Sequence, residues 1–294
     1  MEQQVVLVTG ASSGIGRETA ILLARTGHIV YGAARRLDKL RELSKYGVIP
    51  LVLDVTKDYS CQTALQQILD QQGSLDILIN NAGYGSYGAV EDVPLSEAQR
   101  QLEVNVFGAI RLTKLVLPLF RRQHRGRIVM VSSIAGRITG PFGGWYHASK
   151  YALEALSDAL RMETAGQGVQ VTIVEPGLVK TPWGHIAADH LEASSRRGPY
   201  ARAAAKMAAG IHHLYGKKWL SSPRDVARTI FLAANATQPQ ARYLCGKDAW
   251  LLLIAHAVLP TGIFDMAARW VMKYRKGGVP WISYGWGICS FPCS

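Results

Sequence analysis

Near its start the chain runs Val5-Val6-Leu7-Val8-Thr9, then Gly10-Ala11-Ser12-Ser13-Gly14-Ile15-Gly16, then a stretch from Glu18 to Ala24 with helically spaced apolar residues. An apolar run closed by a glycine turn that opens a helix reads as a buried strand feeding a crossover, the beginning of a parallel α/β sheet. Glycines let backbone turn sharply and lie close to a ligand, and the free amides of the helix N-terminus beyond attract an anion such as a pyrophosphate. Gly10, Ser12, Ser13, Gly14, Ile15 and Gly16 are therefore candidate cofactor-binding residues. The same letters satisfy the G-x-S-x-G spacing of a serine nucleophile elbow. That alternative is set aside, because its oxyanion hole needs earlier strands and this turn follows the first one.

The alternation continues. Ile29–Ala34, Val48–Leu53, Ile77–Ile79, Arg127–Val131 and Val169–Val174 read as further strands, and Arg242–Cys245 as a short last one. Gln62–Leu69 and a long stretch from Pro94 to about Phe120 have helical patterns, and Ser222-Pro223-Arg224-Asp225 is a capping-box start for a helix reaching about Ala236. Six strands alternating with helices and one closing strand predict an α/β, Rossmann-type doubly wound parallel sheet of about seven strands, with ligands at the strand C-terminal ends. The motifs fall at those ends. Asp54 and Val55 follow the third strand, where the adenine is expected, and Asn81, Ala82 and Gly83 follow the fourth, small enough for a cofactor to lie close. Arg35 and Arg36 end the second with no Asp or Glu beside them. A carboxylate there would accept a ribose 2′-hydroxyl, whereas arginine pairs with a 2′-phosphate, so NADP(H) is preferred over NAD.

The fifth strand ends in Ser132-Ser133, and Trp145-Tyr146-His147-Ala148-Ser149-Lys150 opens the next helix. Tyr146 and Lys150 are four apart, on one helix face, so the ammonium is expected to lower the phenol's pKa and make Tyr146 a general acid/base. Ser133 is placed to hold a substrate oxygen within reach of that proton. Asn105, between Val104 and Val106 inside the long helix, is a poor helix former; a local kink with its amide holding water beside Lys150 would account for it.

The 33 Lys and Arg against 21 Asp and Glu give a net charge of +12, which suits polyanionic cofactors, nucleic acid or an anionic membrane. No nucleic-acid motif accompanies it, and Arg121-Arg122-Gln123-His124-Arg125 reads as a solvated helix C-terminus. Cys61, Cys245, Cys289 and Cys293 lack zinc spacing, and no metal is expected. A reducing, cytoplasmic setting fits, since the first apolar run leaves no room for a signal peptide. Residues 183–220, rich in Ala, His and aromatics, are expected to form a mobile helical lid. From Trp250 to Leu259 and from Phe264 to Lys276 come an apolar and a basic amphipathic segment, expected to pack as a helical extension, with peripheral membrane contact as the other use. The division expected is 1–246 for the catalytic domain, 247–276 for the extension and 277–294 for an irregular tail.

Taken in order, Thr9-Gly10-x-x-x-Gly14-x-Gly16, Asn80-Asn81-Ala82-Gly83, Asn105, Ser133, Tyr146-x-x-x-Lys150 and Pro176-Gly177 resemble the motifs of the classical short-chain dehydrogenase/reductase family over roughly Val5 to Gly246. The wording around Tyr84-Gly85 and Trp145–Ala148, with the long C-terminal extension, looks like the branch holding 17β-hydroxysteroid and retinol dehydrogenases. The resemblance implies Asn105, Ser133, Tyr146 and Lys150 as a catalytic tetrad. It also implies Pro176, Gly177, Val179 and Thr181 beside the cofactor, with Thr181 on the nicotinamide carboxamide, and a homodimer or homotetramer. The activity it implies is NADP(H)-dependent interconversion of a lipophilic alcohol and its carbonyl, with Tyr84, Tyr87, Phe142, Trp145 and Trp183 as pocket candidates. An idle dinucleotide-binding sensor and a 3-oxoacyl-thioester reductase are the alternatives.

Overall fold

In β1 (Val5–Thr9) every residue is buried, and successive side chains point to opposite faces of the sheet. Val5 and Leu7 join one core, Val6 and Val8 the other, so this strand is sandwiched between two helical layers. The architecture comes from a computed structural model, which describes residues 2–217 and 219–271. After β1 come α1 (Gly14–Arg25), β2 (Ile29–Ala34), α2 (Leu37–Arg41), β3 (Val48–Val52), α3 (Asp58–Gln72) and β4 (Ile77–Asn80). The second half holds α4 (Leu95–Leu102), α5 (Gly108–Arg122), β5 (Gly126–Val131), α6 (Gly144–Glu163) and β6 (Val169–Pro176). Then follow α7 (Trp183–Ser194), α8 (Ala201–Tyr215), α9 (Pro223–Asn235), β7 (Arg242–Cys245), α10 (Lys247–Val258) and α11 (Thr261–Val271).

All seven strands are parallel, in the order β3-β2-β1-β4-β5-β6-β7. This is the doubly wound sheet expected from the sequence. The order reverses between β1 and β4, which opens a crevice at their C-terminal ends. One face of the sheet is covered by α1 and α9, the other by α3, α5 and α6. Each fully buried Leu or Ile in these layers contributes about 1.5–3 kcal/mol relative to exposure. β3 is an edge strand, where Pro50 leaves no interior ladder bond unmade.

The long helix expected from Pro94 to Phe120 is interrupted. Residues Glu103–Phe107 form a π-helical turn between α4 and α5, and Asn105 sits in it. The extra residue of a π-turn re-aims a side chain that a regular helix would place elsewhere. The capping box of α9 forms as expected, Ser222 Oγ accepting from the Asp225 N–H while the Asp225 carboxylate accepts from the Ser222 N–H. The inner face of α10 and α11, through Ala249, Leu252, Leu253 and Phe264, packs on Ile134, Ile138 and Leu244. Residues 272–276 of the expected extension and the whole 277–294 tail lie outside the described residues. No helix among the described residues is long and apolar enough to cross a membrane.

Candidate active site

Two loops are stitched together at the β1/β4 crevice. The Thr9 hydroxyl accepts from the N–H groups of Asn81 and Ala82, each at 2.9 Å, and the Asn81 amide donates to the Thr9 carbonyl at 2.9 Å. A Cβ on Gly16 would lie 2.4 Å from Asn81 Nδ2 and 2.5 Å from the Gly10 carbonyl oxygen, so only glycine allows this approach. Gly10 adopts φ +68°, the left-handed region that favours glycine. Ser13 occupies the N-cap of α1, and its side chain makes no capping hydrogen bond. The first-turn amides thus have no side-chain acceptor, and the cradle fits the pyrophosphate of a dinucleotide. Thr181 lies against it, its methyl 3.4 Å from where a Gly14 Cβ would sit.

At the far end of the crevice Arg35 is exposed and lines a cleft with Thr56, Ser96, Gln99, Arg100, Glu103 and Val104. Arg36 instead donates to Ser12 Oγ at 2.9 Å, which fastens it to the glycine turn. Asp54 accepts from both the N–H and the hydroxyl of Thr56. Burial raises its pKa, but those bonds, with Arg35 and Lys57 nearby, outweigh it and hold the carboxyl below its ordinary value. Its carboxylate is engaged in its own turn, and Val55 beside it is buried.

β5 and α6 bring the reactive groups together. Tyr146, only 7% exposed, has Ser133 beside its phenol, and the serine hydroxyl accepts from the Ala135 N–H and donates to the Pro176 carbonyl at 3.4 Å. Lys150, one turn along, donates to the Val131 carbonyl at 2.9 Å. The expected lowering of the phenol's pKa is not what these contacts produce. Burial pushes Tyr146 up to about 12, only partly offset by Ser133, because the ammonium is aimed at a carbonyl and is itself desolvated down to about 8. Spacing put the two groups on one face; burial set their proton affinities.

Asn105 sits in the local irregularity expected of it, and protein groups engage its amide. Its two amide hydrogens go to the Tyr84 carbonyl at 2.9 Å and Ser149 Oγ at 3.0 Å, and its Oδ1 accepts from the Tyr84 N–H. One lone pair of Oδ1 remains, so the amide braces the Gly83-Tyr84 loop and, through Ser149, the carbonyl of Tyr146. Pro176 ends β6 and Gly177 follows it, donating its N–H to the Cys245 carbonyl at 2.8 Å, and Val179 is buried.

An aromatic roof covers Tyr146. Its ring lies 4.9 Å from that of Trp183 and 5.9 Å from that of Tyr87. Of the other expected pocket residues, Tyr84 donates to Glu97, Trp145 to the Val90 carbonyl, and Phe142 packs against Tyr200 at 6.2 Å. Two residues escaped the sequence reading. Tyr215 of α8 lies 6.4 Å from Trp183, and Asp248 of α10 accepts from the Leu178 N–H at 2.6 Å. Gly184 and Gly177 were their signals, since a Cβ at either would lie 2.3 Å from Tyr215 or Asp248. Between α7 and α8, His185 and His212 pair through their Nδ1 atoms at 2.9 Å, and among the described residues no three His, Cys, Asp or Glu side chains are grouped to hold a metal.

A family model described as short chain dehydrogenase matches residues 4–191. The chain belongs to that family. This short-chain dehydrogenase is 36% identical over 275 residues to the probable short-chain type dehydrogenase/reductase VdlC of Helicobacter pylori, covering 92% of this chain and 99% of that one. It is 44% identical over 177 residues to the 3-ketodihydrosphingosine reductase of Bacteroides thetaiotaomicron, 60% of this chain and 64% of the relative. The narrower resemblance to the hydroxysteroid and retinol branch has loose support, from 32% identity to dehydrogenase/reductase SDR family member 7B of Mus musculus over 80% of this chain and 76% of that one. Among solved structures, a short-chain dehydrogenase from Streptomyces avermitilis superposes with TM-score 0.75 at 31% identity, covering 93% of this chain and 98% of that one. Two others carry cofactors. An alcohol dehydrogenase from Thermococcus sibiricus holds 5-hydroxy-NADP (TM-score 0.66, 26% identity, 83% and 96% covered), and a 3-ketoacyl-(acyl-carrier-protein) reductase from Brucella melitensis holds NADH (0.69, 26%, 84% and 99%). As a family member the protein is an oxidoreductase acting on CH–OH groups and their carbonyls.

Proposed function

We propose that this short-chain dehydrogenase uses NADP(H) to interconvert a lipophilic alcohol and its ketone or aldehyde, with Tyr146 as the general acid/base. The observation that carries the reading is the convergence of the Ser133 hydroxyl on the Tyr146 phenol, with Lys150 one helical turn away, under a roof of Tyr87 and Trp183. When bound, the nicotinamide supplies or accepts the hydride. In the reducing direction Ser133 and Tyr146 hold the carbonyl oxygen, and Tyr146 gives it the proton as the carbon becomes a carbinol. A phenol held near 12 is protonated at neutral pH and so is ready to donate. Lys150, buried at the floor of the crevice, is placed to bind the cofactor ribose, and Asn105 keeps the helix turn and the loop before it in register. Such positioned proton transfer contributes about 10²–10⁴-fold.

The preference for NADP(H) is supported by Arg35 at the open end of β2, with Arg100 across the same cleft and no carboxylate at that strand end to receive a 2′-hydroxyl. The lipophilic substrate is supported by the aromatic roof, and a long-chain keto compound is favoured by the Bacteroides relative, whose name specifies a ketosphingoid substrate. The test is NADPH and NADH oxidation with long-chain ketones, steroids and retinal, with the alcohols identified as products. NADPH-driven reduction of such ketones is expected. Tight NADPH binding with no turnover on any of them would favour the idle sensor, and turnover confined to 3-oxoacyl thioesters would favour the narrower reductase.

A further inference from the structure

The outer face of α10 is as apolar as its inner one. Ala249, Leu252 and Leu253 pack inward, while Trp250, Leu251, Ile254 and Val258 point away from the domain, with Leu251 71% and Val258 72% exposed. Ile263 and Met266 of α11 continue the surface. A helix apolar all round belongs in a core or against lipid, and this one has only half a core. Between Asp248 and Asp265 no residue carries a formal charge, and then Arg269, Lys273, Arg275 and Lys276 follow in the sequence, ahead of Trp281, Tyr284 and Trp286.

We propose that this face docks on an anionic phospholipid bilayer, lying in the interface rather than crossing it. At 1.5 Å per residue the 12 residues of α10 span about 18 Å, short of the ~30 Å hydrocarbon core. An exposed apolar face on a chain of net charge +12 is complementary to an anionic bilayer surface, which offers an acyl boundary to the one and phosphate headgroups to the other. A second copy of the chain fits worse, because face-to-face packing would bring together two proteins that each carry +12. The face is also fixed in place relative to the active site. Asp248 ties the start of α10 to Leu178, just beyond Pro176-Gly177, and α10 packs on Ile134 and Ile138, just beyond Ser133. A molecule leaving the bilayer at this edge arrives beside the reactive hydroxyls. That entry route rests on the lipophilic-substrate reading above; the docking does not.

Flotation of the full chain with vesicles of phosphatidylcholine, with and without phosphatidylserine, tests it. The protein should float with the anionic vesicles and at least ~10-fold less with neutral ones, each cation near the surface being worth ~5-fold. Trp250→Glu/Ile254→Glu should lower partitioning at least ~10-fold while turnover on a short water-soluble ketone stays unchanged. Equal flotation of the two proteins would overturn the proposal. A dimer that the double variant splits, with neither protein floating, would assign the face to a second copy and overturn it too. No flotation with no change in oligomer would assign it to residues 272–294, also against the proposal. Inactivity on every lipophilic ketone would sink the substrate reading and leave flotation as it was.

Discussion

Replacing Lys150 with Met should stabilise the protein at neutral pH while removing its activity. Burial lowers the ammonium's pKa from 10.5 to about 8, with only the charge of Glu154 opposing it. That drop corresponds to a penalty of ~3 kcal/mol for keeping the charged form folded, at 1.36 kcal/mol per tenfold change. Against it stands the bond to the Val131 carbonyl, which the variant leaves unpaired at a cost of about 1–3 kcal/mol. The difference between two pH values isolates the first quantity. Because the folded pKa is depressed, the unfolded chain binds more protons between 8 and 10.5, so this lysine's contribution makes the wild type gain stability as pH rises through that window. The variant lacks that gain. Thermal unfolding of both proteins at pH 7 and pH 10.5 should therefore show the variant's relative Tm falling by roughly 6–12 °C over the interval, at 2–4 °C per kcal/mol. A constant Tm difference would refute the burial argument, and with it the claim that the site holds a lysine at a cost to stability.

Gly16→Ala should abolish measurable cofactor binding or lower Tm, because its Cβ meets the Gly10 carbonyl at 2.5 Å; calorimetric titration with NADPH checks it. Arg35→Glu should lower the NADPH over NADH preference in kcat/KM by about 10–100-fold, the worth of one charge-assisted phosphate bond. Arg242 holds Glu154, Asp158 and Glu175 together, so Arg242→Met should destabilise by about 3–5 kcal/mol in urea unfolding. That loss should shrink below pH 7, since burial already raises Glu154 to about 7 and a protonated carboxyl needs no cation.

The sheet was legible because its signal is periodic and local. The boundaries of β2 and β7 match the sequence reading residue for residue, and the Gly10–Gly16 and Asn81–Gly83 motifs follow the C-terminal ends of β1 and β4. Asn105 advertised an irregularity by being a poor helix former among β-branched neighbours, but its partners, Tyr84 and Ser149, follow only from three-dimensional packing. The phenol's proton affinity was misjudged for the same reason, since i,i+4 spacing says which groups share a face and nothing about which carbonyl claims the ammonium. Tyr215 and Asp248 were hidden by sequence distance, reaching the site from α8 and α10 across the gaps that Gly184 and Gly177 leave. The exposed half of α10 was hidden differently, because an apolar run does not say which of its faces the domain covers.

Proton delivery by the Tyr146 hydroxyl is tested by a single substitution. Tyr146→Phe keeps the ring against Trp183 and Tyr87 and removes only the oxygen. Steady-state NADPH oxidation with a substrate the wild type reduces should fall by about 10²–10⁴-fold in kcat, with NADPH affinity unchanged. A variant that turns over within a few-fold of the wild type would contradict the account.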